Sequence, residues 1–149
     1  MPEIIMRTIR ENVFFIMEAV DINKTVLALA GADGEIIAKQ EIKFSVGNIK
    51  LLKRISDFLK KKKLGFSDVS GIISATGPGS FTSIRTSLSI VNTWANIMSI
   101  PAVGFSRQET ASFEDLTKKG IVKLRKMKHP KIIQPFYGRP PDITAPKMK

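Results

Sequence analysis

Thr76-Gly77-Pro78-Gly79-Ser80-Phe81-Thr82, running on as SIRTSLSIVNTWANIMSIP from Ser83 to Pro101, decides how the rest of the chain is read. A glycine-bracketed turn stands between a short apolar run and a long periodic segment, the pattern of a strand, a tight loop and a helix. Gly77 and Gly79 open backbone angles closed to other residues, and Pro78 stiffens the turn between them. Ser80 or Thr82 can cap the helix by accepting from its free N–H groups. A glycine loop at a helix N-terminus is also a candidate anion site. The lysine that follows the second glycine of a P-loop is absent here, so a structural turn is the better reading. The helix is predicted from Phe81 or Thr82 to Ser99. Ile100-Pro101 stops it, because the residue before proline avoids helical angles.

Advancing about 100° per residue from Ile84 places Ile84, Leu88, Val91, Ala95 and Met98 on one face, which should lie on a sheet. Ile90, Trp94 and Ile97 form a second apolar patch, bordered by Ser83 and Ser87, which are small enough to let another backbone approach. Arg85, Ser89, Asn92 and Asn96 take the polar side. So wide an apolar arc needs a second cover. The sequence leaves two open: the first helix or the tail of the same chain, or another subunit anchored on Trp94.

Outward from this segment, Gly71 to Thr76 (GIISAT) and Ala102 to Phe105 (AVGF) read as the strands before and after the helix. Upstream, Val13 to Ala19, Thr25 to Ala30 and Ile36 to Phe44 read as three strands joined by short turns at Asp21 to Lys24 and Ala32-Asp33-Gly34, an antiparallel meander. Gly47-Asn48 is a helix-start signal. Ile49, Leu52, Ile55 and Leu59 recur at helical spacing, with Leu51 and Phe58 beside them. Lys60 to Lys63 fall at the helix end, where the dipole favours cations, and Gly65 is expected to terminate it. A last helix is predicted over Gln108 to Lys119. The order βββαβαβα gives an α/β fold: a mixed five-stranded sheet with packed helices. Residues 1–11 read as a loose leader, 12–119 as the sheet-bearing lobe, and 120–149 as a basic, proline-containing tail in which the prolines forbid regular structure.

The chain has 149 residues, enough for one domain with a real core. No apolar run approaches the roughly 20 residues of a membrane span, and a soluble cytoplasmic protein is the default. Cysteine is absent, which removes disulfides, thiolate metal sites and cysteine nucleophiles together. The single histidine, His129, sits in a lysine-rich stretch and reads as a solvated side chain. Neither a metal nor a cofactor is assigned. The net charge of +11 is concentrated: from Thr117 onward there are ten Lys/Arg against Asp142 alone. Such a tail could contact RNA phosphates, although a solvated terminal segment is the simpler reading.

The run ATGPGSFTSIRTSLSIVNTWANIMSIPAVGFS, Ala75 to Ser106, resembles the signature of the TsaB family, GPGSFTGLR followed by a helix and GIP-V-VG-S. Gly77, Pro78, Gly79, Ser80, Phe81, Thr82, Arg85, Ile100, Pro101, Gly104 and Ser106 agree without a gap. Upstream, GEIIA at Gly34 to Ala38 falls in the family's order, and Pro135-Phe136-Tyr137-Gly138-Arg139 resembles its closing P-x-Y-x-R. The resemblance implies one lobe of an actin/Hsp70-like (ribonuclease H-like) architecture. It implies a subunit without catalytic machinery that pairs through its helices with a TsaD-like catalytic subunit. With a TsaE-like ATPase, that pair forms threonylcarbamoyladenosine on tRNA. A TsaD helix, or a second copy of this chain in a homodimer, then becomes the expected occupant of the face formed by Ser83, Ser87, Ile90, Trp94 and Ile97. Four departures stand against the pattern. Glu18-Ala19-Val20 replaces Asp-Thr-Ser, and Gly47-Asn48-Ile49 replaces His-Ser-Glu. Ser83 and Ser87 stand where glycines are common, and Arg107 to Lys119 is followed almost at once by the closing segment, so most of a second lobe is expected to be missing. One lobe cannot form the cleft that holds nucleotide in this architecture.

Overall fold

A computed structural model describes residues 12–21, 23–43, 51–127 and 131–137. The leader, the Gly47-Asn48 helix start, His129 and the tail past Tyr137 lie outside the described residues. Strands β1 (Val13–Asp21), β2 (Lys24–Gly31), β3 (Ile36–Ile42), β4 (Gly71–Ala75) and β5 (Ala102–Phe105) alternate with helices α1 (Leu51–Lys60), α2 (Phe81–Met98) and α3 (Phe113–Lys126), in the order the sequence predicts. A short 3-10 turn, Phe66–Asp68, follows α1. The sheet order is β3-β2-β1-β4-β5. β1, β2 and β3 are antiparallel neighbours, whereas β4 runs parallel to β1 and β5 parallel to β4.

β1 sits at the centre, and its unbroken apolar run follows from having both faces covered. Phe15 points to one side, where its ring meets Phe58 of α1 and Trp94 of α2. Phe14, one residue along, points to the other and lies with Leu124 of α3 beside Gly71. The hairpins close as their residues suggest: Asp21 Oδ1 accepts from the Asn23 N–H, Asp33 Oδ1 accepts from the Glu35 N–H, and Gly34 takes φ +87°. No helix among the described residues is long and apolar enough to cross a membrane.

Three sequence expectations need correcting. In α1 the inward stripe is Leu51, Ile55, Phe58 and Leu59, while Leu52 is 52% exposed. The docking of Phe58 on Phe15 rotates the helix one position from the predicted face. Gly65 does not terminate α1. Lys63 adopts the left-handed conformation, with its N–H donating to the Lys60 carbonyl and that of Leu64 to the Leu59 carbonyl, a Schellman stop. Gly65 instead opens the 3-10 turn and donates its N–H to Asp68 Oδ2.

The last helix starts and ends later than Gln108 to Lys119. Ser112 caps it by accepting from the Asp115 N–H, and Asp115 accepts in turn from the Ala111 N–H. That backbone bond, with Lys119 beside it, holds the Asp115 carboxyl below its ordinary value. Gly120 lies inside the helix and begins no tail. A Cβ there would stand 2.5 Å from Ile73 Cγ2, so the missing side chain lets α3 lie close on the sheet. That contact offsets the helix-propensity cost that made Gly120 look like a stop.

Candidate functional site

At the motif loop the backbone is occupied by its own chain. The Gly77–Pro78 peptide is cis, and Gly77 takes φ +130°. The Ser80 N–H donates to the Val20 carbonyl at 2.7 Å, the Arg107 N–H to the Gly77 carbonyl at 2.7 Å, and the Phe136 N–H to the Thr76 carbonyl at 2.9 Å. A Cβ on Gly77 would lie 2.0 Å from the Phe136 carbonyl oxygen, and one on Gly79 2.1 Å from that of Val20. Both glycines therefore make room for neighbouring backbone. Ser80 is the cap, its Oγ accepting from the Ser83 N–H, and Thr82 is exposed. Phe81 stacks on Tyr137 with ring centroids 4.6 Å apart, and Arg85 lies over the Phe81 ring.

Tyr137 belongs to residues 131–137, a strap that crosses α2. Asn92 holds the strap with both ends of its amide: Nδ2 donates to the Ile133 carbonyl at 3.1 Å, and Oδ1 accepts from the Ile133 N–H at 2.8 Å. Ile133 is buried against Gly104. The expected peripheral tail is thus part of the fold up to Tyr137. Removing the clamp leaves two buried backbone groups without partners, worth about 1–3 kcal/mol. Asn92→Ala is accordingly expected to strip hydrogen-exchange protection from the Ile133 amide while leaving the β1 amides protected.

The second apolar patch of α2 divides. Trp94 is 5% exposed and belongs to the core: its ring packs on Phe15, the edge of Phe66 covers it, and Nε1 donates to the Phe66 carbonyl at 3.0 Å. The cover is intramolecular, but it comes from the 3-10 turn and not from α1 or the tail. Ser83 and Ser87 are buried as well, the Ser87 hydroxyl donating to the Ile84 carbonyl, so neither borders an open face. Ile90 is half-buried and Ile97 is 68% exposed. Met98, assigned by the sequence to the sheet face, is also exposed, because Ser99 turns left-handed immediately after it and ends α2. Together Leu52, Phe66, Ile90, Trp94, Ile97 and Met98 line an apolar groove of about 410 Å³ between α1 and α2. Leu52 and Phe66 were missed as site residues. Leu52 was placed inward on the predicted stripe, and nothing in Gly65-Phe66-Ser67-Asp68 says which helix it will meet.

Residues 48–123, just over half of the chain, match the family model described as TsaD, tRNA N6-adenosine threonylcarbamoyltransferase. The chain belongs to this family. Direct comparison with curated proteins gave no match. The chain is similar to two solved structures from Pseudomonas aeruginosa, each at 21% identity and a TM-score of 0.56. One is described as an uncharacterized protein with similarity to peptidase YEAZ, the other as YeaZ. The matches cover 64% of this chain but only 43% and 45% of theirs. They show the fold, the actin-like lobe expected from the sequence. The TsaD-family match begins after the meander and takes in the α1 to α3 region, including the motif loop and every residue of the groove. Among the described residues, no three His, Cys, Asp or Glu side chains gather as metal ligands. Glu18 pairs with Arg107 at 3.7 Å.

Proposed function

We propose that the chain is a TsaB-type, non-catalytic subunit that binds a TsaD-like catalytic subunit through the α1/α2 groove, in the formation of threonylcarbamoyladenosine on tRNA. The observation that carries this reading is the groove. Leu52, Ile97 and Met98 are exposed around an apolar floor on a helix whose inward face is already satisfied by the sheet. Contiguous apolar surface of this kind marks an interaction site, and a helix laid into it would bury the aliphatic rim around a fixed aromatic floor. The loop supports the same reading, since its backbone groups are spent on internal contacts and its role is to set the angle of α2. The scaffold's contribution is positional: Trp94, locked by Phe15 and Phe66, presents Ile97 and Ile90 at fixed spacing. A TsaE-like ATPase is a further partner of the assembled pair.

Light scattering on the mixed chains tests the proposal. The wild-type chain is expected to form a complex with the TsaD-like subunit at micromolar concentration. Ile97→Glu should weaken it by about 30-fold or more, as loss of a hot-spot residue of about 2 kcal/mol or more does, with unchanged circular dichroism and melting temperature. Absence of a wild-type complex would overturn the reading, and so would an Ile97→Glu variant that binds as tightly as wild type. A wild-type chain that scatters as a dimer when alone, and becomes monomeric with Ile97→Glu, would assign the groove to self-association instead.

A further inference from the structure

The α1/α2 groove does not end at α2. Ser89 and Thr93, exposed and one turn apart, line it and also line a second hollow of about 410 Å³ between α2 and the strap. Their small side chains leave a low saddle, so the two hollows form one continuous surface. The strap supplies the outer wall of the second through Ile132, Gln134, Pro135 and Tyr137. Ile132 is 75% exposed, more than Ile97 on the rim of the first groove. The Asn92 clamp holds the backbone of the next residue, so Ile132 is presented from a fixed position while its side chain takes no part in the core. At one end of the hollow Arg85 lies over the exposed Phe81 ring, which stacks on Tyr137. Arg85 has no carboxylate partner among the described residues.

We infer that the partner subunit straddles α2, with one segment in the α1/α2 groove and a second in the hollow beneath the strap. That second segment is apolar toward Ile132 and carries a carboxylate toward Arg85. The inference rests on the proposed function for the identity of the partner, and adds a contact surface to it. Size is the first argument. Eight residues line the α1/α2 groove, against the roughly 20–30 a side that a stable interface uses, so the contact has to extend over one flank or the other. Composition decides which. The outward surface of α1 carries Lys53, Lys60, Lys61 and Lys63, all exposed, and lysine is depleted at interfaces. On the strap flank Arg85 is the one charged residue lining the hollow among the described residues, and it stands beside Phe81 and Tyr137. Arginine and aromatic side chains are the residues that interfaces favour. Ile132 then answers Ile97 across the helix, an aliphatic anchor on each side of the saddle.

Titration calorimetry of the full chain with the TsaD-like subunit tests the inference. Ile132→Glu and Arg85→Glu should each weaken the complex about tenfold, whereas Lys53→Ala on the outward surface of α1 should leave the affinity within about twofold of wild type. Melting temperature and hydrogen-exchange protection of the Ile133 amide should match wild type in all three, which shows the strap still docked. If Ile132→Glu lowers that protection, Arg85→Glu alone decides, since it leaves the strap unchanged. A complex that Ile97→Glu weakens, but that binds as tightly as wild type with Ile132→Glu and with Arg85→Glu, would overturn this inference and leave the groove proposal standing. Absence of any wild-type complex would overturn both. Self-association of the wild-type chain that Ile132→Glu abolishes would assign the hollow to a second copy, and that too would overturn the inference.

Discussion

Trp94→Ala is expected to lower the stability of the chain by about 3–5 kcal/mol, the cost of removing a large buried aromatic side chain from a core that collapses only partly. Three effects converge at this position. The indole fills the space between Phe15 and Phe66, it brings the 3-10 turn onto α2, and its Nε1 donates to the Phe66 carbonyl, which would lose its partner. A domain of this size is stable by about 5–15 kcal/mol, so the variant should sit near the edge of folding. Urea denaturation followed by circular dichroism gives the measurement: a large fall in midpoint with a similar slope is the expected result. A midpoint within experimental error of wild type would mean that Trp94 is not packed as described. The comparison with Ile97→Glu, three residues along the same helix, separates the floor of the groove from its rim. One residue holds the fold, and the other is assigned to the partner.

Gly79→Ala should cost about 3 kcal/mol although it adds a single methyl group. Its Cβ would stand 2.1 Å from the Val20 carbonyl oxygen, with Val20 Cβ at 2.8 Å. A flexible side-chain tip could rotate away. A carbonyl near the end of β1 cannot do so without breaking its bond from the Ser80 N–H, and overpacking that moves backbone falls at the upper end of the usual 1–3 kcal/mol. Gly65→Ala is the matched control: its Cβ would meet only Asp68 Oδ2 at 3.8 Å, ordinary contact at negative φ, so the change should be close to neutral. Melting temperatures of the pair provide the readout, with a drop of roughly 6–12 °C for Gly79→Ala at about 2–4 °C per kcal/mol. Equal melting temperatures would contradict the close approach of the loop to β1.

Much of this architecture was legible in the sequence because it is written in local chemistry. Proline at 101 and the apolar period of α2 located that helix to within a residue at each end, and the Asp-Gly turn closed the β2–β3 hairpin as expected. What the sequence could not convey was which segment meets which. A helical wheel showed Ile90, Trp94 and Ile97 on one side of α2 but not that Phe66 arrives over Trp94 and leaves Ile97 uncovered. The same limit reversed the reading of Gly120. As a local signal glycine ends helices, and only the approach of Ile73 explains one in the middle of α3. Lys63 and Ser99 end their helices in left-handed geometry with side chains that give no such signal. For the candidate site, the family motif led to the correct helix, while burial moved Ser83, Ser87 and Trp94 inward and brought Leu52, Phe66 and Met98 to the groove.

Asn92 carries one more consequence. Its side-chain amide reproduces a peptide group, so it forms with Ile133 a single rung of sheet, built from a helix. What it reads is backbone, which every residue except proline offers in the same form. Ile132 and Gln134 on either side are exposed. The strap's sequence can therefore drift at those positions while its register stays fixed, so long as residue 133 keeps its N–H and an apolar side chain small enough for the space above Gly104. The instruction for where this segment docks is stored 41 residues upstream, in an asparagine on the polar side of a helix.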